Sequence, residues 1–142
     1  MSLSSRHQFR IIISPLNDIP LGDIKHVYQE CRWGWSSDDL AVKALRGSFK
    51  SVIVYDGDSP VGFCRSISDG VAYALVVDTM VVPAYQKKGI GTLLMKTLID
   101  SLKQSGVGFI KLISSKEGKD FYEKLGFKAR SQDEPGMMMS LL

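Results

Sequence analysis

The residues with the most chemical content lie in one stretch, Val81-Val82-Pro83-Ala84-Tyr85-Gln86-Lys87-Lys88-Gly89-Ile90-Gly91-Thr92, which joins an apolar run to an amphipathic one. Pro83 has no N–H to give to a ladder and so closes a strand. Gly89 and Gly91 carry no Cβ, which leaves room for a ligand against the main chain. The helix that follows offers unpaired N–H groups and the positive end of its dipole, and Lys87 and Lys88 add charge. A pyrophosphate is the guest that such a loop suits. The stretch lacks the Gly-Lys-Ser/Thr of a Walker A loop and the third glycine of the dinucleotide fingerprint. Two glycines at a helix start also serve close helix–strand packing, so the loop alone leaves both readings open.

A second residue stands out by isolation. Asp78 is the only carboxylate between Val71 and Val82, an otherwise apolar run. Burying it unpaired is costly, so it needs a structural or a functional partner. Charge is unevenly spread: from Ala84 to Lys128 there are nine lysines, four acids and no arginine, although the net charge of the whole is only +3. That bias suits an anionic ligand as well as an ordinary solvated surface. Without interleaved arginines and aromatics, nucleic acid is not expected.

Metal, membrane and disulfide chemistry are not expected either. Cys31 and Cys64 have no metal-ligand spacing, and neither His7 nor His26 has a nearby partner. No apolar run approaches the roughly 20 residues of a membrane span. The start, MSLSSRHQFRIII, has no secretory layout, which points to a reducing cytoplasm. The 142 residues, 44% apolar and 23% charged, fit one domain, 1–142.

The elements that must position these residues follow from periodicity. Phe9–Ile13 reads as a strand ended by Ser14-Pro15. After Pro20, Ile24, Val27, Tyr28 and Cys31 share a helical face, which Arg32-Trp33-Gly34-Trp35 breaks. Ser36 or Ser37 caps a second helix that runs to Arg46 and stops at Gly47. Phe49–Tyr55 and Pro60–Ile67 form a hairpin across Asp56-Gly57-Asp58, and Val71–Val82 is a long third strand of that group. Gly89–Gln104 is amphipathic, with Ile90, Leu93, Leu94, Leu98 and Leu102 on one stripe. A short strand over Gly108–Ile113, a helix over Lys116–Leu125 closed by Gly126, and two strands over Phe127–Arg130 and Met137–Leu142 complete the order β-α-α-β-β-β-α-β-α-β-β. The expected fold class is α/β, a mixed α+β sheet with helices on both faces.

The loop resembles the acetyl-CoA pyrophosphate loop of the GNAT (GCN5-related) N-acetyltransferase superfamily, [Arg/Gln]-x-x-Gly-x-[Gly/Ala], with Gln86, Gly89 and Gly91 at its fixed positions. A second stretch, Asp120-Phe121-Tyr122-Glu123-Lys124-Leu125-Gly126-Phe127, is similar to the family's helix-to-strand corner beside the acyl chain of the cofactor. Arg65-x-x-Ser68-Asp69, Asp78, Pro83-x-Tyr85-Gln86 and Gly136-Met137 further resemble small amine acetyltransferases of the plant chloroplast serotonin type. Where many members have Asn before the last helix, Ser115 stands here.

The resemblance implies the GNAT fold, acetyl-CoA as cofactor, and transfer of its acetyl group to a primary amine by direct attack in a ternary complex. Gln86, Lys87, Lys88, Gly89, Ile90, Gly91 and Thr92 would then hold the pyrophosphate. The main chain of Met80, Val81 and Val82 would pair with the pantetheine arm, and Ser115, Phe121, Tyr122 and Lys124 would line the acyl end. Tyr122 is the candidate general acid, since a phenol with a pKa of about 10 can protonate a departing thiolate. Asp78 would bind the acceptor ammonium or take its proton, directly or through water. Trp33 and Trp35 lie where the family commonly lines its acceptor pocket, which suits a small aryl- or alkylamine. Two other acceptor readings stay open, a protein N-terminus or lysine, and so does a non-catalytic acyl-CoA-binding module. The resemblance also leaves room for a homodimer.

Overall fold

The computed structural model describes residues 8–14 and 21–141. The expected turn at Pro15, the segment up to Pro20, and His7 lie outside them. Strand β1 is Phe9–Ser14, helix α1 is Leu21–Glu30 and helix α2 is Asp38–Arg46. Strands β2 (Ser51–Asp56), β3 (Ser59–Ser68) and β4 (Tyr73–Val81) follow. A 3₁₀ turn at Pro83–Tyr85 leads to α3 (Ile90–Gln104), then β5 (Phe109–Lys111) and α4 (Lys119–Lys124). Contacts divide the chain into two compact units, Met1–Lys111 and Leu112–Leu142.

In the first unit the five strands lie in chain order. Neighbours are antiparallel from β1 to β4, as hairpin-scale connections permit. β5 is parallel to β4, which requires a crossover element, and α3 supplies it. β2 is buried at each position from Ser51 to Tyr55, so both faces of the sheet are covered. On one face Ile53, Tyr55, Phe63 and Met80 pack with Ile24, Val27 and Tyr28 of α1 and Leu45 of α2. On the other, Gly62 lies against Ile90 and Leu94 of α3. The buried stripe of α3 is Ile90, Leu94, Met95, Leu98 and Leu102, with Met95 where the periodicity placed Leu93. Each such side chain contributes roughly 1.5–3 kcal/mol.

Local signals act as expected at several ends. Ser37 caps α2, its hydroxyl accepting from the Leu40 N–H at 3.2 Å. The helix break after α1 is a Schellman turn: Trp33 N–H donates to the Tyr28 carbonyl at 2.9 Å and Arg32 N–H to that of Gln29 at 3.0 Å. Its left-handed residue is Arg32, with φ 57°, rather than the neighbouring Gly34.

In the second unit, α4 begins only at Lys119, because Gly118 closes a turn onto the Ser115 carbonyl. The two strands expected over Phe127–Arg130 and Met137–Leu142 are not formed among the described residues, which carry no strand after Lys111. Met137-Met138-Met139 has no period-two alternation, and the three side chains are 83–89% exposed. Strand preference is realised through cross-strand neighbours, and an apolar run without them is not a strand.

Candidate active site

The loop after β4 is shaped by two left-handed residues, Lys87 at φ 60° and Gly89 at φ 85°. Together they curl the main chain around Lys88 into the start of α3. Gly89 is the N-cap of α3 and supplies no side-chain acceptor, so the first N–H groups of the helix point outward uncapped. A Cβ at Gly89 would meet nothing within 4 Å, so the space beside it is open. The lysines, the uncapped N–H groups and that open approach fit a pyrophosphate well. Gln86 is tied back, its side-chain amide donating to the Val81 carbonyl at 3.2 Å. Tyr85, with Lys88 over its ring at 5.1 Å, donates from its hydroxyl to Asp56 at 2.8 Å. Ile90 is buried against β3, so only its main chain faces the loop.

β4 leads into this loop with one edge only partly paired. β3 runs beside it as far as Val81, whereas the register with β5 ends at Leu75. The side chains of Met80 and Val82 are buried in the core, and Val82 already gives its N–H to the Val61 carbonyl at 2.9 Å while its carbonyl accepts from the Tyr85 N–H at 2.8 Å. The lone carboxylate of the strand is not alone in space. Asp78 Oδ2 accepts from Arg65 Nε at 2.6 Å and from the Tyr28 hydroxyl at 2.5 Å. Burial, and then the Asp78 bond, push the Tyr28 phenol far above its ordinary pKa, so it stays protonated and donating.

Beside this cluster stand the tryptophans. Trp35 lies 5.8 Å from the Tyr28 ring and 5.8 Å from the Arg65 guanidinium. A cavity of about 410 Å³ opens between α1 and α2, with Ile24, Tyr28, Trp33, Trp35 and Leu45 among its walls. Lys25 and Asp38, also in its lining, join the two helices by an ion pair at 2.8 Å.

The other expected residues belong to the second unit. Tyr122 packs edge-on against Phe121 at 5.0 Å and Phe127 at 5.9 Å. Its carbonyl accepts from the Phe127 N–H at 3.1 Å, closing α4 around left-handed Gly126. Ser115 Oγ accepts from the Gly118 N–H at 3.1 Å. Lys124 is an exposed residue at the end of that helix.

Three non-glycine residues among those described have left-handed backbone: Arg32, Asp78 and Lys87. Each belongs to a part of this site, namely the turn before Trp33, the acid of β4 and the basic loop. Strain of this kind gathers at functional sites. Arg65 and Tyr28 were not singled out from the sequence as Asp78's partners. A signal existed, since Arg65 is the only base between Pro60 and Ile67, one hairpin away from the only acid of β4.

The family profile described as Acetyltransferase (GNAT) domain matches residues 28–136, most of the chain. The chain belongs to the GNAT acetyltransferase family. Among its relatives, the histone acetyltransferase TAP1 of Glycine max is 27% identical over an alignment of 139 positions that covers 90% of this chain and 60% of the soybean protein. Serotonin N-acetyltransferase 2, chloroplastic, of Oryza sativa subsp. japonica is 40% identical over 68 residues, 48% of this chain and 34% of the rice protein. This GNAT chain thus spans only part of the longer plant proteins it matches. Among solved structures, a probable acetyltransferase of meticillin-resistant Staphylococcus aureus superposes with a TM-score of 0.80 at 26% identity, covering 94% of this chain and 99% of the other. No helix among the described residues is long and apolar enough to cross a membrane.

Proposed function

We propose that this GNAT chain, read as one acetyltransferase domain over 1–142, transfers the acetyl group of acetyl-CoA to the primary amine of a small molecule. The observation that carries the reading is the curled, lysine-bearing loop at the uncapped start of α3, set directly after a strand with a partly open edge. Acetyl-CoA supplies an activated thioester. The Gln86–Thr92 loop binds its pyrophosphate, and the Met80–Val82 main chain orients its arm as an added strand would be oriented. Ser115, Phe121 and Lys124 belong by motif to the acyl end.

The acceptor's apolar part occupies the cavity between α1 and α2, where Trp33 and Trp35 provide aromatic faces. Its ammonium meets the second oxygen of Asp78, which takes the amine proton directly or through water. The neutral amine then attacks the thioester carbonyl, the C–S bond breaks, and Tyr122, placed here by its motif, gives its phenolic proton to the leaving thiolate. The proton shed by the new amide nitrogen returns through water to the Tyr122 phenolate. Holding the reactants in this order can lower the barrier by roughly 7–11 kcal/mol.

Calorimetric titration with CoA, followed by an amine panel with thiol detection, tests the reading. Gly89→Val forces a β-branched residue to adopt left-handed φ and abolishes CoA binding while circular dichroism stays unchanged; normal affinity overturns the assignment. Including a histone-tail peptide in the panel separates a small-molecule acceptor from a protein one, the reading that the soybean relative's name favours. Sedimentation of the same sample distinguishes a monomer from a homodimer.

A further inference from the structure

The register of β4 against β3 slips by one residue where its carboxylate stands. Phe63 faces Met80 but Arg65 faces Val77, so Cys64 lies opposite both Asp78 and Thr79. This is a β-bulge, and Asp78 within it has φ 55°. Aspartate is among the few non-glycine residues that visit the left-handed region, and inside a strand it stays there only when its surroundings hold it.

The holding groups come from two other elements. Arg65 of β3 and Tyr28 of α1 donate to the same oxygen, Asp78 Oδ2, at 2.6 and 2.5 Å. Arg65 is itself braced, with Nη1 donating to Ser48 Oγ at 3.3 Å and only 8% of the residue exposed. The carboxylate is thereby fixed toward α1, while the next hydroxyl, Thr79, turns to the opposite face and meets Met95 Sδ of α3 at 3.7 Å. The main chain that leaves this bulge, Thr79–Val81, lies beyond the last pairing with β5.

We propose that Arg65 and Tyr28 are positioning residues: by clamping Asp78 they hold its left-handed backbone and so aim the Thr79–Val81 main chain at the acetyl thioester. The proposal rests on the acetyl-transfer reading. It assigns Asp78 Oδ2 a task on its own strand, distinct from any dealing of the other oxygen with the acceptor. A bulge of fixed direction can present an N–H where charge develops on the thioester oxygen.

One readout needs no turnover. The ¹³Cα and ¹³Cβ shifts of residue 78 in isotope-labelled protein report whether it is left-handed or extended. Left-handed shifts in the unaltered chain that become extended in Arg65→Met support the proposal, and left-handed shifts that persist in Arg65→Met overturn it. The second readout is kcat with the best amine. Arg65→Met lowers kcat about tenfold, less than the 10²–10³ typical of deleting an oxyanion donor outright, with the amine KM little changed. Asp78→Gly removes the acceptor's base and is slow in itself, but its left-handed conformation needs no clamp, so adding Arg65→Met to it changes the residual kcat less than about threefold. An equal fold loss in both backgrounds overturns the proposal, and where Asp78→Gly is too slow to measure the shift comparison alone decides it. If Arg65→Met does not fold, Tyr28→Phe removes one clamp without orphaning a charge and is judged by the same two comparisons. A chain that transfers no acetyl at all fails the acetyl-transfer reading, while the shift comparison still decides the clamp.

Discussion

Ile90, the first residue of α3, rests on Gly62 of β3 so closely that a Cβ at position 62 would lie 2.9 Å from Ile90 Cγ2. The same Cβ would come within 3.0 Å of Leu94 Cδ1, so both contacts push on the first turns of one helix. The start of α3 is therefore seated by the sheet and not only by the loop before it.

Gly62→Ala accordingly has two effects that can be measured apart. Overpacking of this size costs about 1–3 kcal/mol, read from urea denaturation. Because the displaced residue opens the helix, CoA affinity falls as well, which calorimetry reads directly. Lost stability with unchanged CoA affinity would show that the helix start absorbs the shift without consequence for the loop.

High pH probes the tyrosines that anchor α1. Tyr55 donates to Asp23 at 2.7 Å, and burial, followed by that bond, pushes its pKa up to about 12. Above pH 10 the unfolded chain loses the phenolic proton while the folded chain keeps it, so unfolding is favoured as pH rises. Tyr55's contribution is complete below about pH 10 and is lost as pH rises to about 12. Denaturation midpoints between pH 9 and 12 should fall less steeply in Tyr55→Phe than in the unaltered protein.

Tyr122→Phe keeps the ring that packs on Phe121 and Phe127 and removes the hydroxyl. A proton given only as the C–S bond breaks appears in kcat, and general acid catalysis contributes typically ~10²–10⁴-fold. A kcat loss of that order with CoA affinity unchanged is expected from steady-state kinetics and titration. An unchanged kcat, with chemistry rate-limiting, would leave the tyrosine as packing and assign the proton to water.

Sequence revealed what is local. Glycine spacing and a proline located the basic loop, and isolation in an apolar run marked Asp78. Of its partners, Arg65 left a signal as the lone base of the neighbouring strand, though only strand register makes the pair, while Tyr28 reaches it through the packing of a helix 50 residues earlier in the chain. The bulge left no trace either: Tyr73–Val81 has no glycine to suggest a left-handed residue. The tryptophans were legible as a pair in a helix break, but the cavity depends on the separation of α1 and α2, which no spacing encodes. The final strands were misread because an apolar run such as Met137-Met138-Met139 signals burial or pairing only when a neighbour exists.

The pairing of β4 with β5 over only three residues, Tyr73 to Leu75, has a consequence for the chain's behaviour in a cell. A strand edge that continues past its neighbour is a template for any extended backbone, including that of another protein molecule. A ligand whose amides complete that edge competes with such pairing, and by mass action it also raises resistance to unfolding. On the proposed acetyl-transfer function, a scarce acetyl donor would mean more than idle catalyst: it would shorten the protein's life, coupling its abundance to the supply of what it consumes.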